Sequence, residues 1–442
     1  MHQYNIIMLK EILIKNPKFL IFSLILILSV GFHHNANATI LQEEIKQNIQ
    51  SYTEFKGVVI DSKTKSPLIF ADITVNSTNI RTVTNTEGKF LLKVPSNLLD
   101  KKITVSFLGY EKREIPLKEL KSNNNKIALN VSITELIQVK IKVPKDAVSL
   151  VKAALNKESE NYYNDQALMT GFYRETIKKR SKNASLSEAV VEIYKQPYSS
   201  RTKDAIKLIK SRKNTNYSRL DTIALKLQGG PFSALYSDII KYPEYIFTKE
   251  TLPYYDFKFE ASTQINDRQV YVVKFEQLPN VVSALYYGKL FIDAQTFALT
   301  SAIYSLNIEN KNEAVQLFVR KKPNRVKVEP LKAVYRVDYK TINGKWYYGY
   351  SNIQLAFKVK WKNKLFSSNY YLSIEMAITN WKKNTTGIIK PKNNLKPSII
   401  LSDKASGFSD PEFWGEYNII EPEKSIESAI KKIAKQLKRE QN

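Results

Sequence analysis

Seven carboxylates are the side chains in this sequence with the best opportunity for catalysis. They lie on or beside segments in which apolar and polar residues alternate, as they do in strands. A suitably spaced pair of carboxylates can cleave a glycosidic bond, one acting as the acid and the other as nucleophile or base. Their spacing singles out no pair, so we expect surface and turn positions and keep a glycan-active hydrolase as the alternative. The seven are Asp256, Glu260, Asp267, Glu276, Asp293, Glu309 and Asp338.

Histidine and cysteine chemistry is excluded for most of the chain. The sequence has no cysteine, and its three histidines are His2, His33 and His34. Catalytic zinc sites and Ser-His-Asp or Cys-His catalysis depend on these residue types, so residues 39–442 support none of them. The glycine-rich motifs of phosphate and dinucleotide sites are missing as well. The sequence therefore predicts a protein that is not an enzyme, with no cofactor, no metal and no lipid attached through cysteine.

The chain is strongly basic, with a formal charge of +26 over 442 residues. Lys358, Lys360 and Lys362 alternate with Val359 and Trp361, so in a strand the three ammonium groups share one face. They predict a rim for an anionic ligand, such as a lipid phosphate or an acidic glycan. The alternative is a lysine-rich surface that serves only solubility. A second basic run, at 320–327, contains a proline and is expected to be a loop.

A dense aromatic cluster occupies positions 346–350, with Trp361 further along the chain. Such rings could stack on sugars or line an apolar groove. Because neighbouring residues of a strand face opposite sides, only alternate rings could form one platform. We therefore expect these aromatic residues to pack in the core of a sheet.

The first 38 residues have the pattern of a secretory signal peptide. Lysines precede the apolar run 19–30, and Ala36-Asn37-Ala38 offers small residues for cleavage. The run is short for a bilayer-spanning helix, although an uncleaved anchor is the alternative, and Met8 is an alternative start. Export disfavours nucleic acid as a partner. Residues 39–54 are expected to be a polar lead-in.

Residues 55–143 are predicted to form a small β-sandwich. Apolar and polar residues alternate along 71–76 and 89–94, and further short strands follow at about ten-residue spacing. Another small all-β module is the alternative. Glycines are expected at structural turns because they adopt positive φ without strain. They are Gly57, Gly88 and Gly109 here, with Gly229 and Gly230 later in the chain.

This stretch resembles the carboxypeptidase regulatory-like domain, a transthyretin-like β-sandwich. The resemblance lies in Gly57-x-Val59-x-Asp61, Pro67-Leu68, Ala71-x-Ile73-x-Val75, Thr84-x-Thr86-x-Gly88-x-Phe90 and 105–110. Family members usually carry aspartate where this chain has Asn85, a change that keeps the turn chemistry and removes a charge. The resemblance implies a folding or adhesion module at the N-terminus of a cell-envelope protein of two-membrane bacteria. Residues 127–143 are similar to the strand that closes these modules.

The remainder is predicted to be a second, larger β-domain. A connecting helix is expected at 144–160, an antiparallel sheet domain at 161–420, and an amphipathic helix at 421–442. Within the sheet domain, the run 315–319 is read as a strand and 201–213 as a basic segment with some apolar character. A half-barrel is one form that this sheet could take. Its concave face could hold an apolar or amphipathic molecule, or helices could fill it.

Two weaker resemblances concern this second domain. Gly288-Lys-Leu-Phe-Ile-Asp293 resembles the half-barrels of periplasmic lipoprotein carriers. Residues 161–175, Gly229-Gly230-Pro231 and 410–414 are similar to the uncharacterised C-terminal part of envelope proteins that carry the N-terminal module. Neither resemblance implies an activity.

The sequence as a whole indicates a mainly β, exported, non-catalytic envelope protein that binds or scaffolds. Its expected location is the periplasm or the periplasmic face of the outer membrane. Lipid, acidic glycan or another envelope protein are the partners considered, with contact to a membrane surface included. A glycan-active hydrolase and an adhesion or assembly subunit are the alternatives.

Overall fold

The computed structural model describes residues 51–132, 146–180, 182–215, 229–265, 268–318, 325–362, 364–407 and 413–423. The chain is mainly β, as predicted, with two small sheets, one large sheet and a few short helices. From Tyr52 onwards the described residues belong to one compact unit. The expected signal peptide, most of the polar lead-in and most of the C-terminal helix lie outside the described residues.

The N-terminal part is a sandwich of two small sheets, which we call the sandwich. One sheet has the order β4-β1-β7 and the other the order β3-β2-β5-β6. Side chains that alternate along these strands meet between the sheets, where Ile73, Phe90 and Val105 are completely buried. The strands are β1 Tyr52–Asp61, β2 Asp72–Val75, β3 Arg81–Val83, β4 Lys89–Pro95, β5 Lys102–Ser106, β6 Arg113–Pro116 and β7 Asn125–Leu129.

Two of the sandwich's glycines have different roles. Gly88 has φ +70 in the turn before β4, where the Asn85 side chain accepts hydrogen bonds from the backbone N–H groups of Glu87 and Lys89. Gly57, however, lies inside β1 and not in a turn, so the prediction for it is wrong. A Cβ there would lie 2.4 Å from the Asn125 carbonyl oxygen, so this position requires glycine for close packing of neighbouring strands.

The other predicted turn glycines have positive φ. Gly109 has φ +79 beyond β5, at a point with open space around it. Gly229 and Gly230 have φ +112 and +51 and lead into a short helix that begins at Pro231.

In the part of the chain that the structure describes, the large sheet has eleven strands in the order β11-β12-β13-β14-β15-β16-β17-β8-β9-β10-β18. Neighbouring strands are antiparallel except β18, which pairs parallel with β10. The hairpin of β8 and β9, which comes first in the chain, therefore pairs with β17, the last long strand. The strands are β8 Ala167–Lys179, β9 Lys182–Lys195, β10 Ala205–Thr215, β11 Tyr255–Ile265, β12 Arg268–Gln277, β13 Tyr286–Asp293, β14 Leu299–Leu306, β15 Val326–Ile342, β16 Lys345–Trp361, β17 Ser368–Lys383 and β18 Ser406–Gly407.

Within the described residues, five short α-helices accompany the sheets: α1 Ala147–Asn156, α2 Glu158–Asn161, α3 Pro231–Leu235, α4 Lys311–Phe318 and α5 Leu401–Lys404. Helix α1 matches the predicted connecting helix, and the Asp146 carboxylate caps it by accepting the Ser149 N–H at 2.7 Å. Helix α4 includes residues 315–318 of the run that was predicted as a strand, an ambiguity typical of short apolar runs. Strand β10 begins inside the basic segment 201–213, at Ala205. Among the described residues, no helix has the length and hydropathy needed to cross a membrane.

One face of the large sheet is covered by α1 and by the segment 231–254. Leu150, Val151 and Ala154 of α1 join Phe232, Leu235 and Ile239 of that segment in one buried cluster with the strands. The central part of this face is therefore a filled core. This is the second of the two arrangements that the sequence left open, with residues 231–254 covering the face beside α1.

The opposite face carries the sandwich. Phe70 of the sandwich contacts Tyr350 of β16 with ring centroids 5.0 Å apart, and Leu91 joins a buried cluster with Phe172 and Trp414. Residues 413–423, which we call the strap, run along this junction. Asn418 of the strap hydrogen-bonds the backbone of Lys93 in both directions, at 2.7 and 3.0 Å. The sandwich, the strap and the large sheet thus form one packed body.

Candidate functional site

Three chain segments meet at one end of the large sheet. Strand register brings them together, because Trp361 of β16 pairs with Val326 of β15 and Tyr370 of β17 pairs with Lys179 of β8. The β8–β9 turn is fixed by Arg180, whose N–H donates to the Asn369 carbonyl at 2.8 Å. We call residues 178–180, 325–329, 358–362 and 364–367 the basic end.

Positive charge dominates the basic end. Its residues include nine lysines or arginines and a single acidic residue, Glu329. The ammonium group of Lys327 lies 2.8 Å from that carboxylate, and their hydrogen bond is the main cause that lowers the pKa of Glu329. The excess of cations makes this end a region of positive potential.

The three lysines singled out from the sequence lie here. Lys358 and Lys360 are exposed on one side of β16, while Val359 between them is only 6% exposed on the other. Lys362 is also exposed and follows the strand, and its backbone N–H donates to the Arg325 carbonyl at 2.9 Å. The alternation expected from the sequence therefore describes this strand. The first part of the basic run 320–327 lies outside the described residues.

The loop between β16 and β17 ends in two exposed apolar side chains. Leu365 is 93% exposed and Phe366 is 80% exposed, the highest values among the large apolar residues described. We call this pair the tip. Beside the loop, an open depression contains two cations and two half-exposed apolar side chains; its lining is Arg180, Leu331, Lys358, Ser367, Asn369 and Tyr371.

Four of the seven candidate catalytic carboxylates form ion pairs with a lysine or an arginine. Asp256 contacts Lys258 at 2.6 Å, Glu260 contacts Lys289 at 2.6 Å, and Glu276 contacts Lys274 at 2.9 Å; Asp338 contacts Arg336 at 2.8 Å. The first three are surface ion pairs within the sheet, and the pair of Asp338 with Arg336 is mostly buried. Glu309 lies between β14 and α4, and Asp267 lies outside the described residues.

Asp293 is a turn residue. Its side chain is buried, accepts the Thr296 N–H at 2.8 Å and contacts Arg268 at 2.6 Å. Burial opposes its negative charge, but these hydrogen bonds outweigh burial and lower its pKa. The carboxylate at the end of the Gly288 motif therefore closes the β13–β14 turn.

The aromatic cluster at 346–350 is buried. Tyr348 and Tyr350 are 0% and 1% exposed, and the backbone N–H of Tyr348 donates a hydrogen bond to the Tyr198 hydroxyl oxygen at 2.9 Å. Trp346 and Tyr347 are also buried. The cluster packs in the core, and no platform for a sugar is formed by these rings.

A buried ionic network was not predicted from the sequence. The Lys195 ammonium group lies 2.8 Å from both Asp204 and Asp238, and all three residues are buried. The hydroxyls of Tyr198 and Tyr339 donate to Asp238 at 2.9 and 3.0 Å. Burial lowers the pKa of Lys195, but the two carboxylates outweigh it, so its pKa is raised. The network lies inside the filled face and has a structural role.

A second buried network crosses four adjacent strands on the other face. Register places Glu375, Arg174, Glu188 and Arg212 in one row, so that the charges alternate. Arg174 contacts Glu188 at 2.8 Å and Glu375 at 3.1 Å, and Arg212 contacts Glu188 at 2.7 Å. The signal for this network in the sequence was the presence of charged residues in the centres of apolar strands. Which of these residues pair depends on the strand order, which local sequence does not determine.

Comparisons with known proteins support the first domain directly. Residues 55–141 match the family model of the CarboxypepD_reg-like domain, which confirms the resemblance seen in the sequence. A comparison of the sequence with curated proteins finds no match.

Solved structures similar to the chain share little sequence with it. A DUF1329 family protein from Desulfovibrio piger has 8% identity and a TM-score of 0.23, covering 55% of this chain and 95% of its own. A domain named for outer membrane lipoprotein sorting, from Vibrio parahaemolyticus, has 9% identity and a TM-score of 0.24, covering 54% and 93%. MucB has 9% identity and a TM-score of 0.18, covering 55% and 99%. TM-scores this low do not establish a shared overall fold.

Proposed function

We propose that this chain, whose residues 55–141 are a carboxypeptidase regulatory-like domain, is an exported, non-catalytic envelope protein that binds an anionic surface through its basic end. The observation that carries the proposal is the exposure of Lys358, Lys360 and Lys362 together, in a region with nine basic residues and one acidic residue. The signal-peptide pattern of residues 1–38 supports export.

The packing of the large sheet favours a surface role over an internal ligand. Because α1 and residues 231–254 fill the central part of one face and the sandwich covers part of the other, the described strands offer little room for an enclosed molecule. The glycan-hydrolase alternative is disfavoured because four of its candidate carboxylates are bonded to neighbouring cations. An anionic partner at the end of the sheet requires no rearrangement of this core.

The energetics of the basic end suit a dense anionic surface. A lysine or arginine close to an anionic membrane contributes about 1 kcal/mol, and the attraction declines within a Debye length of about 10 Å. Cations that share one end can approach such a surface together, whereas cations spread around a molecule cannot. Binding should therefore be tight at low ionic strength and weaken as salt is added.

The test is co-sedimentation of the purified protein with phosphatidylglycerol vesicles at low and at near-physiological salt. A Lys358→Glu, Lys360→Glu, Lys362→Glu triple variant should lose affinity on the order of a hundredfold, at about 1 kcal/mol for each cation removed. These side chains are exposed, so the fold should be unaffected.

A charge-matched control reverses three exposed lysines of the sandwich: Lys118, Lys121 and Lys126. This control should bind vesicles almost as well as the wild type, because its charges lie outside the basic end. Equal losses in both triple variants would show that net charge alone drives binding, and the basic end would then have no special role. Wild-type protein that fails to bind would reject the function.

A further inference from the structure

We infer that Leu365 and Phe366 insert into a lipid bilayer, so that the anionic surface recognised by the basic end is a membrane. This inference rests on the proposed function and names the class of its partner. The two side chains are 93% and 80% exposed and are adjacent at the end of one loop. Single exposed apolar residues are common on protein surfaces, but an adjacent pair that is almost fully exposed and directly follows three alternating lysines is a different pattern.

The position of the tip is suited to insertion. The last register pair between β16 and β17 is Val359 with Ser368, so residues 365 and 366 lie beyond the paired strands. The base of the loop is held by backbone hydrogen bonds, from Lys362 N–H to the Arg325 carbonyl at 2.9 Å and from Lys364 N–H to the Trp361 carbonyl at 3.1 Å. A tip on an anchored base can enter the acyl region without unfolding the sheet.

The charges near the tip are arranged as an interfacial anchor requires. Lys360, Lys362 and Lys364 precede the tip in the sequence, and Arg180 lies across the neighbouring turn. Long basic side chains can place their apolar stems along the acyl boundary while their charges remain at the phosphate level. Tyr371, which is 45% exposed in the adjacent depression, is a residue type enriched at that level.

A bilayer fits this pattern better than a soluble polyanion does. An acidic glycan could neutralise the cations, but it would leave Leu365 and Phe366 in water. A bilayer supplies phosphate to the cations and hydrocarbon to the tip in one surface. Full burial of a leucine or phenylalanine side chain changes a partition constant by about tenfold or more, so the pair should contribute about a hundredfold.

The first experiment compares phosphatidylglycerol vesicles with heparin, a soluble polyanion, as binding partners. The Leu365→Ser, Phe366→Ser variant should lose about a hundredfold in vesicle affinity and keep its heparin affinity. The Lys358→Glu, Lys360→Glu, Lys362→Glu variant should lose affinity for both. The matched control is Ile388→Ser, Ile389→Ser, an adjacent apolar pair that is 46% and 45% exposed elsewhere, and it should behave as the wild type.

These outcomes separate the inference from the function on which it rests. If the tip variant keeps full vesicle binding while the charge variant loses it, the insertion is wrong and the anionic-surface function stands. If the charge variant keeps full binding, the proposed function itself is wrong. A tip variant that weakens heparin and vesicle binding equally also overturns the insertion, because the apolar pair is then not acting through lipid.

A second measurement reports the depth of the tip directly. In a Phe366→Trp variant, the added indole should shift its emission to the blue on vesicle binding and be quenched by lipids brominated in the acyl chain. The four native tryptophans are accounted for by subtracting the wild-type signal, and three of them are buried, at 346, 381 and 414. An added signal that stays at the wavelength of exposed indole and is not quenched refutes insertion and indicates a partner other than a bilayer.

Discussion

Replacing Glu175 by glutamine should remove much of the pH dependence of this protein's stability between about pH 5 and 8. Glu175 lies in β8, is 5% exposed, and accepts a hydrogen bond from the Tyr173 hydroxyl at 2.8 Å. Burial raises its pKa to about 7, and the bond from Tyr173 opposes this only in part. The group is therefore neutral in the folded state at mildly acidic pH.

The sign of the effect follows from proton binding. In the unfolded chain the carboxyl loses its proton near pH 4.5, whereas in the folded chain it keeps the proton up to about pH 7. The folded state binds more protons across that window, so the free energy of unfolding falls as the pH rises through it. The shift corresponds to a loss of about 3 kcal/mol, which is complete above the folded-state pKa.

Histidine titration does not contribute to the pH dependence of stability in this range. The three histidines are at positions 2, 33 and 34, so a chain cleaved after residue 38 has none that titrates in this range. Burial also raises the pKa of Glu375, although Arg174 opposes the shift. The wild type and the Glu175→Gln variant both retain the contribution of Glu375, so the difference between the two proteins isolates the effect of Glu175.

The assay is urea unfolding of the wild type and of Glu175→Gln across this pH range. The variant should be more stable than the wild type above about pH 7, with the two curves converging towards about pH 5. Glu119→Gln, an exposed position, is the control and should follow the wild type. Curves for the wild type and Glu175→Gln that stay parallel at every pH would refute the assignment of a neutral buried carboxyl.

Two further changes test the interior. Lys195→Met should lower the free energy of unfolding, measured in urea, by about 3–5 kcal/mol, because it leaves two buried carboxylates without their cation. Adding Asp204→Asn and Asp238→Asn should recover part of this loss. A Lys195→Met variant as stable as the wild type would contradict the role of this network. Gly88→Val should lower the free energy of unfolding by about 1–3 kcal/mol and lower the melting temperature more than Gly109→Val does. Both glycines have positive φ, but only at Gly88 would a Cβ meet a backbone atom, the Val59 carbonyl oxygen at 2.7 Å. Equal melting temperatures for the two variants would show that this close contact is unimportant.

Local pattern was sufficient for most strands of the sandwich and of the large sheet. Alternation is a property of short segments, and it locates strands such as β2 and β4, predicted from 71–76 and 89–94. It fails where two structures share one pattern. The apolar residues of Lys311–Phe318 suit a helix or a strand, and the lysines within Ala205–Thr215 conceal a strand that pairs with β9.

The docking of the sandwich could not be predicted from alternation. Arg81 points away from the sandwich core and would ordinarily be exposed, but it is 3% exposed and donates to the Tyr347 hydroxyl at 2.9 Å. Asn85 serves its own turn and also donates to the Glu421 carbonyl of the strap at 2.9 Å. Such contacts join residues hundreds of positions apart, and their partners are set by strand order and not by local sequence.

Local sequence located one part of the candidate site, the lysines of β16, but not the other part, the tip. The alternation of Lys358 and Lys360 with Val359 was enough to place their charges on one face, because strand geometry is local. Leu365 and Phe366 were not singled out, because their apolar side chains were read as the start of the last long strand, whereas β17 begins at Ser368. Exposure of the pair depends on where β16 and β17 stop pairing, which is a tertiary property.

The distribution of charge in this molecule also separates folding from binding. The buried networks around Lys195 and Arg174 are enclosed, so a partner cannot reach them without opening the core, and changes there should appear as lost stability. Lys358 and its exposed neighbours can be altered at a cost within about 0.5 kcal/mol of folding free energy. A loss of binding in variants of the basic end can therefore be attributed to the surface itself. That separation makes an anionic membrane the partner that direct binding measurements can accept or reject.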